Sequence, residues 1–91
     1  MAEIDVRIVE PGERSTFEVT VTEGGSSTTH RVTASDVEIG RLATGYSSEQ
    51  DFIRGCFEFL LAREPKERIL RSFDVTDISG YFPEFEREIR R

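Results

Sequence analysis

Residues 15–33, STFEVTVTEGGSSTTHRVT, decide the fold of this chain. On both sides of the glycine pair at 24–25, every second position carries a large side chain and the positions between them are polar. The large side chains are those of Phe17, Val19, Val21, His30 and Val32. A period of two is typical of strands with one covered face, and a glycine pair is typical of a tight turn. The stretch therefore predicts a β-hairpin.

The length of the turn sets the register of this hairpin, and two lengths fit the pattern. A two-residue turn at 24–25 puts Val19 opposite His30, whereas a four-residue turn through Ser27 puts Val21 opposite His30. Both keep the large side chains together on one face. A three-residue loop without a compensating bulge would put Val32 on the wrong face, so the pattern disfavours it.

A further strand precedes the hairpin. Ile4, Val6 and Ile8 alternate with charged residues before a turn at 10–13, which predicts a strand over about residues 3–9. Three consecutive strands joined by short turns predict an antiparallel meander. Its second face carries threonines and charged residues that suit water, so we expect only one face to be covered.

Beyond residue 35 the hydrophobic period changes from two to about three and a half, which is typical of helices. The main helix should begin after Ser47 or Ser48 and end near Arg63 or Glu64, because Pro65 cannot continue it. Its apolar positions span about half of the helix circumference: Phe52, Ile53, Cys56, Phe57, Phe59, Leu60 and Leu61. That arc is wider than a sheet alone requires, so we expect the C-terminal segment to cover its second flank.

Shorter helices are predicted on either side of the main helix. Ser35 should cap one over about residues 36–43, with apolar side chains pointing inward at three positions: Val37, Ile39 and Leu42. After Pro65 we expect a short helical turn over 66–72, a short element that Asp74 or Thr76 caps and that ends near Gly80, and a final helix over about 83–90.

The predicted fold is a two-layer α+β domain that comprises residues 1–91. A three-stranded antiparallel sheet over about 3–33 is covered on one face by a helical layer over about 35–90. A chain of this length forms one core and has little room for a deep pocket.

Composition narrows the classes of partner and compartment. Eighteen acidic residues against twelve basic ones give a net charge of −6, which disfavours nucleic acid and anionic membrane surfaces as partners. The single Cys cannot form an internal disulfide, which agrees with a reducing compartment. The N-terminus lacks a signal-peptide pattern, and no apolar stretch approaches the roughly 20 residues that cross a bilayer. We therefore expect a cytoplasmic protein.

The side chains that could take part in chemistry do not form a known catalytic, cofactor or metal pattern. There is one His and one Cys, and neither a zinc spacing nor a phosphate-binding glycine motif is present. His30 and Cys56 should both lie where the main helix covers the sheet, so a Cys/His nucleophilic pair is conceivable. Burial among apolar side chains raises the pKa of a thiol and makes it inert, however. We predict no catalytic residue, no cofactor and no metal site.

The remaining polar groups have structural interpretations. Ser26 and Ser27 fit a hairpin tip, and Asp74 with Asp77 fits helix capping. Glutamates at 84, 86 and 88 alternate with the arginines of the last helix, and the basic segment 63–71 has acidic residues interleaved with it. Both patterns are typical of a solvated charged surface.

The C-terminal half resembles a known group of sequences. FLLAREP at 59–65, followed by ILRSFDVTDISGYFPEFEREI at 69–89, is similar to small bacterial proteins of comparable length that have no established activity. The resemblance is strong over about residues 50–90 and loose over the hairpin. It implies a bacterial, stand-alone domain and carries over no site residue.

Two hypotheses for function follow. The first is a non-catalytic protein-interaction module that binds a protein partner or forms a weak homodimer through a strand edge or an exposed patch. Its candidate surface residues are Tyr81, Phe85, Thr29 and Arg31. The alternative is a small enzyme, or a subunit of one, with a shallow site in which His30 lies beside Ser26, Ser27 or Arg31.

Overall fold

A computed structural model describes residues 2–90 and shows an α+β fold with one mixed sheet of four strands. The strands are β1 (Glu3–Glu10), β2 (Arg14–Glu23), β3 (Ser26–Ser35) and β4 (Ser72–Asp74). The helices are α1 (Asp36–Leu42), α2 (Glu49–Leu61), α3 (Val75–Tyr81) and α4 (Phe85–Ile89), with one turn of 3-10 helix at Lys66–Arg68.

The sheet has the order β1-β2-β3-β4, and the first three strands form the antiparallel meander that the sequence predicts. The fourth strand corrects the prediction of three. It pairs parallel to β3 through Phe73, which lies beside Val32. The predicted helical turn over 66–72 is correspondingly shorter, since only Lys66–Arg68 is helical. Three residues carry no period of their own, and they are extended because β3 offers them a free edge.

The hairpin has the two-residue turn, with Val19 opposite His30. Gly24 and Gly25 have φ angles of 65° and 81°. Two consecutive positive φ angles define the turn whose twist matches that of paired strands, and glycine adopts them without a steric cost. Local turn chemistry therefore selects one of the two registers that the hydrophobic pattern allows.

The sequence predicts where the helices start more accurately than where they end. The hydroxyl of Ser35 accepts from the amide of Glu38, and that of Ser48 accepts from the amide of Asp51. The main helix ends at Leu61, before the predicted end, and the final helix is limited to Phe85–Ile89.

One predicted core residue of α1 lies outside the core. Val37 is 77% exposed, whereas Ile39 and Leu42 are buried as predicted. Positions 39 and 42 share one face of a helix, and position 37 lies roughly opposite position 39 at 100° per residue. The inward assignment of Val37 was therefore wrong.

The core lies between the apolar face of the sheet and α2, and it continues to the second flank of that helix. Phe59 packs edge-on against Phe85 at 5.1 Å and against Phe82 at 5.9 Å between ring centroids. The guanidinium carbon of Arg63 lies 3.6 Å from the centroid of the Phe59 ring and closes this cluster toward solvent. The C-terminal segment thus covers the wide apolar arc of the main helix, as the sequence predicts.

Candidate functional site

His30 is buried in the sheet, and both ring nitrogens have partners within the chain. Its side chain is 1% exposed and its ring packs against that of Phe57 with 5.3 Å between centroids. Nδ1 lies 2.7 Å from the Leu70 carbonyl oxygen, and Nε2 lies 2.8 Å from the Thr28 hydroxyl. A carbonyl only accepts, so Nδ1 carries the proton and Nε2 accepts from Thr28.

The surroundings of His30 favour the neutral ring. Burial lowers the pKa of His30 below its ordinary value, the hydrogen bond to Leu70 opposes this change, and the charge of Arg71 adds to it. His30 therefore joins β3 to the segment that precedes β4 as a neutral hydrogen-bonded group. A ring with 1% exposure and two engaged nitrogens does not favour the enzyme hypothesis.

Cys56 has no activated environment. It is 1% exposed on the covered face of α2, and burial raises the pKa of its thiol far above the ordinary value. Because Leu70 and Thr28 already engage both nitrogens of His30, neither nitrogen is free to accept a proton from the thiol. A Cys/His nucleophilic pair does not form.

The candidate residues on the face of the sheet that the helices do not cover are exposed. Thr29 and Arg31 both lie outside the core, on the face opposite to His30. Arg31 is aligned with Glu18, but the carboxylate of Glu18 bonds to Arg7 on the other side. Among residues 2–90 Arg31 has no ion pair, so its guanidinium is a free cation on this face.

The acidic candidates have structural roles. Asp74 and Asp77 form a capping box at the start of α3. Asp74 also accepts hydrogen bonds from Thr33 at 2.6 Å and from Arg14, and so connects three strands to this helix. Partial burial acts to raise the pKa of Asp74, but the hydrogen bonds from the threonine hydroxyls outweigh it and the pKa is lowered.

The remaining charges of the C-terminal half are mostly paired. Arg41 binds Glu86, and Arg63 binds Glu84 and Glu88. These pairs attach α4 to α1 and to the end of α2. The expectation of an ordinary charged surface agrees with this arrangement, although such exposed pairs contribute only about 0 to 1 kcal/mol each.

The structure separates the two aromatic candidates near the C-terminus. Phe85 is fully buried against Phe59, so it belongs to the core and cannot contribute to an exposed surface. Tyr81 is 67% exposed at the end of α3. Four positions separate them, but α3 ends at Tyr81 and the chain turns before α4 begins, so the two rings face different surroundings.

Tyr81 borders an apolar cavity of about 220 Å³, which we name the α2–α3 groove. Its apolar lining comprises Leu60, Ile69, Leu70, Phe73, Ile78 and Phe82, and charged side chains of Glu64, Arg68 and Asp77 stand beside them. The end of α2, the 3-10 turn, β4 and α3 meet here. The sequence does not indicate that these segments enclose a cavity.

Leu70 is the groove residue that sequence reasoning missed. The sequence predicts that the C-terminal segment, which includes Leu70, covers the main helix, but the Leu70 side chain is 48% exposed, next to the buried Ile69. Its carbonyl is held by His30, which fixes the backbone there. The sequence feature that could have indicated its exposure is its position between Arg68 and Arg71, in a stretch without helical or strand period.

Comparisons with protein-family models, with curated proteins and with solved structures gave no match for this chain. Over residues 2–90 no helix has the length and apolar character to cross a bilayer. The same residues contain no grouping of three or more His, Cys, Asp or Glu side chains suited to a metal ion.

Proposed function

We propose that this protein is a non-catalytic interaction module, and that the α2–α3 groove accepts a large apolar side chain of a protein partner. The observation that carries the proposal is where apolar surface remains exposed. Among the described residues four large hydrophobic side chains are exposed, namely Val9, Val37, Leu70 and Tyr81. Leu70 and Tyr81 both border this groove. Exposed apolar side chains around a concave apolar surface are typical of protein interfaces.

The size of the groove favours a side chain over a free ligand. Its 220 Å³ is below the range of about 300 to 1,000 Å³ that ligand pockets occupy. It equals the liquid volume of roughly seven water molecules, which suits one large aliphatic or aromatic side chain. A partner that inserts one such anchor would cover Leu70 and Tyr81 at the same time.

Two charged side chains at the groove can orient a bound partner. Neither Glu64 nor Arg68 has an ion pair within residues 2–90. Both are therefore free to pair with residues of opposite charge that flank the partner's apolar anchor. Such rim pairs add specificity and faster association more than affinity.

Selection from a random peptide library on the immobilised protein tests this proposal. We expect enriched peptides to share one large apolar residue with charged neighbours. Isothermal titration should give affinities at least about fivefold weaker for the Leu70→Ser and Tyr81→Ser variants, because anchoring contacts of this kind each contribute about 1 to 2 kcal/mol or more.

Val37→Ser is the matched control, since Val37 is also apolar and 77% exposed but lies on α1, outside the groove. Its affinity for the same peptides should equal that of the unmodified protein. Peptides that bind the groove variants as well as the unmodified protein would contradict the assignment of the groove. A selection that enriches no apolar anchor would contradict it as well.

A further inference from the structure

Strand β1 forms one edge of the sheet, on the side away from β4. Within residues 2–90 its outer side meets no other strand, and one side chain reaches it: Arg54 donates from Nε to the Ile4 carbonyl oxygen at 3.3 Å. An edge of eight residues is long enough to accept a further strand.

The hydrogen-bond register determines which groups of β1 point outward. The Arg31 amide donates to the Arg71 carbonyl on the β4 side, so the backbone N–H and C=O groups of Arg31 are directed away from β2. The backbone N–H and C=O groups of Glu18, which is paired with Arg31, are then directed toward β1, where Glu18 is aligned with Arg7. Alternation along β1 leaves the N–H and C=O groups of three residues directed outward: Ile4, Val6 and Ile8. The bond from Arg54 to the Ile4 oxygen independently agrees with this direction.

We propose that β1 pairs antiparallel with β1 of a second copy of this chain, with Val6 on the two-fold axis. In this register Val6 is opposite its own counterpart, and Ile4 is opposite Ile8 of the second copy. All three outward-facing residues of each strand then form hydrogen-bonded pairs. This interface lies at the opposite edge of the sheet from the α2–α3 groove. It can therefore be tested independently of the proposed function.

Charge selects this register over its neighbours. With Val6 on the axis, the Asp5 carboxylate of each copy lies opposite the Arg7 guanidinium of the other, and no like charges are aligned. One step in either direction along the strand would align Asp5 with Asp5 or Arg7 with Arg7, and like charges directly opposite destabilise a pair of strands. In the described part of the chain Asp5 has no ion pair, whereas Arg7 binds Glu18 through one nitrogen only.

The apolar face agrees with the same pairing. Ile4 and Ile8 are half-buried and pack at the margin of the core. Alignment with the second copy would bring each Ile4 beside an Ile8 and remove more of both side chains from water. The Arg54 contact is compatible with the pairing, because it is long and a carbonyl oxygen accepts two hydrogen bonds.

Sedimentation equilibrium on the full chain, from about 10 µM to about 1 mM, tests the proposal. We expect a monomer–dimer equilibrium that weakens at high salt. Asp5→Arg and Arg7→Asp should each raise the dissociation constant at least about tenfold, because each places two like-charge pairs in the homodimer. An equimolar mixture of the two variants should dimerise again, since every facing pair then has opposite charges.

Amide exchange of the unmodified protein gives a second test that needs no variant to fold. Exchange at Ile4, Val6 and Ile8 should slow as concentration rises, whereas exchange at Asp5 and Arg7, whose amides already bond to β2, should not change. A monomer over the whole concentration range would overturn the proposal. A dimer that both charge variants leave intact would overturn it, and so would a mixture that remains monomeric.

Discussion

Phe85→Ala tests whether the C-terminal segment completes the core. Phe85 is fully buried, and its ring centroid lies 5.1 Å from that of Phe59 on α2. Removal of a fully buried phenylalanine ring costs about 3 to 5 kcal/mol through lost transfer free energy and the cavity that remains. The total stability expected for a chain of this length is only about 5 to 14 kcal/mol. The variant should therefore lose a large part of its free energy of unfolding.

Urea denaturation followed by circular dichroism measures this loss directly. The melting temperature should also fall by at least about 12 °C, at roughly 4 to 8 °C for each kcal/mol in a domain of this size. Tyr81→Ala is the matched control, because Tyr81 lies four residues earlier but is 67% exposed. Its free energy of unfolding should change by no more than about 0.5 kcal/mol.

The comparison between the two variants decides the result. A loss below about 1 kcal/mol for Phe85→Ala would mean that the ring is not packed in the core, since even modest core truncations cost that much. Equal losses for the two variants would contradict the separation of the aromatic residues into one core residue and one groove residue.

Three further predictions concern buried or capping groups. Burial lowers the pKa of His30 from 6.5, so its protonation favours the unfolded chain. Urea stability should be unaffected by His30 above pH 6.5 and should fall as pH drops through 6.5 toward the lower folded value, whereas His30→Gln should lose this dependence. Cys56 should react with a thiol reagent only at the rate of global unfolding, because its thiol is 1% exposed and its pKa is raised; faster reaction in the folded state would contradict its burial. Asp74→Ala should cost about 1 to 3 kcal/mol in urea denaturation, because it removes a helix cap and the acceptor for Thr33, whereas Asp74→Asn should cost less since asparagine also caps.

Local signals account for most of the fold that could be predicted. The period of two in β2 and β3, the glycine pair between them, and the serine and aspartate caps each act over a few residues. Such features are visible in a single sequence because their physical causes are neighbours along the chain.

The features that could not be predicted depend on contacts between distant parts of the chain. β4 is three residues long and is extended because it bonds to β3, about 40 residues away in sequence. Phe73 of β4 and the exposed Leu70 line the same cavity, so this surface also depends on tertiary structure. The candidate site is therefore only partly predictable: the sequence indicates Tyr81 as a surface candidate, while the groove that it borders arises from tertiary structure.

The proposed function requires that a partner binds in the α2–α3 groove and not around His30. The most direct test is an NMR titration of isotope-labelled protein with a selected peptide, which reports every backbone amide at once. We expect the largest shift changes at Leu70, Ile78 and Tyr81 and none at the hairpin tip. Changes centred on His30, Ser27 and Arg31 would contradict this expectation.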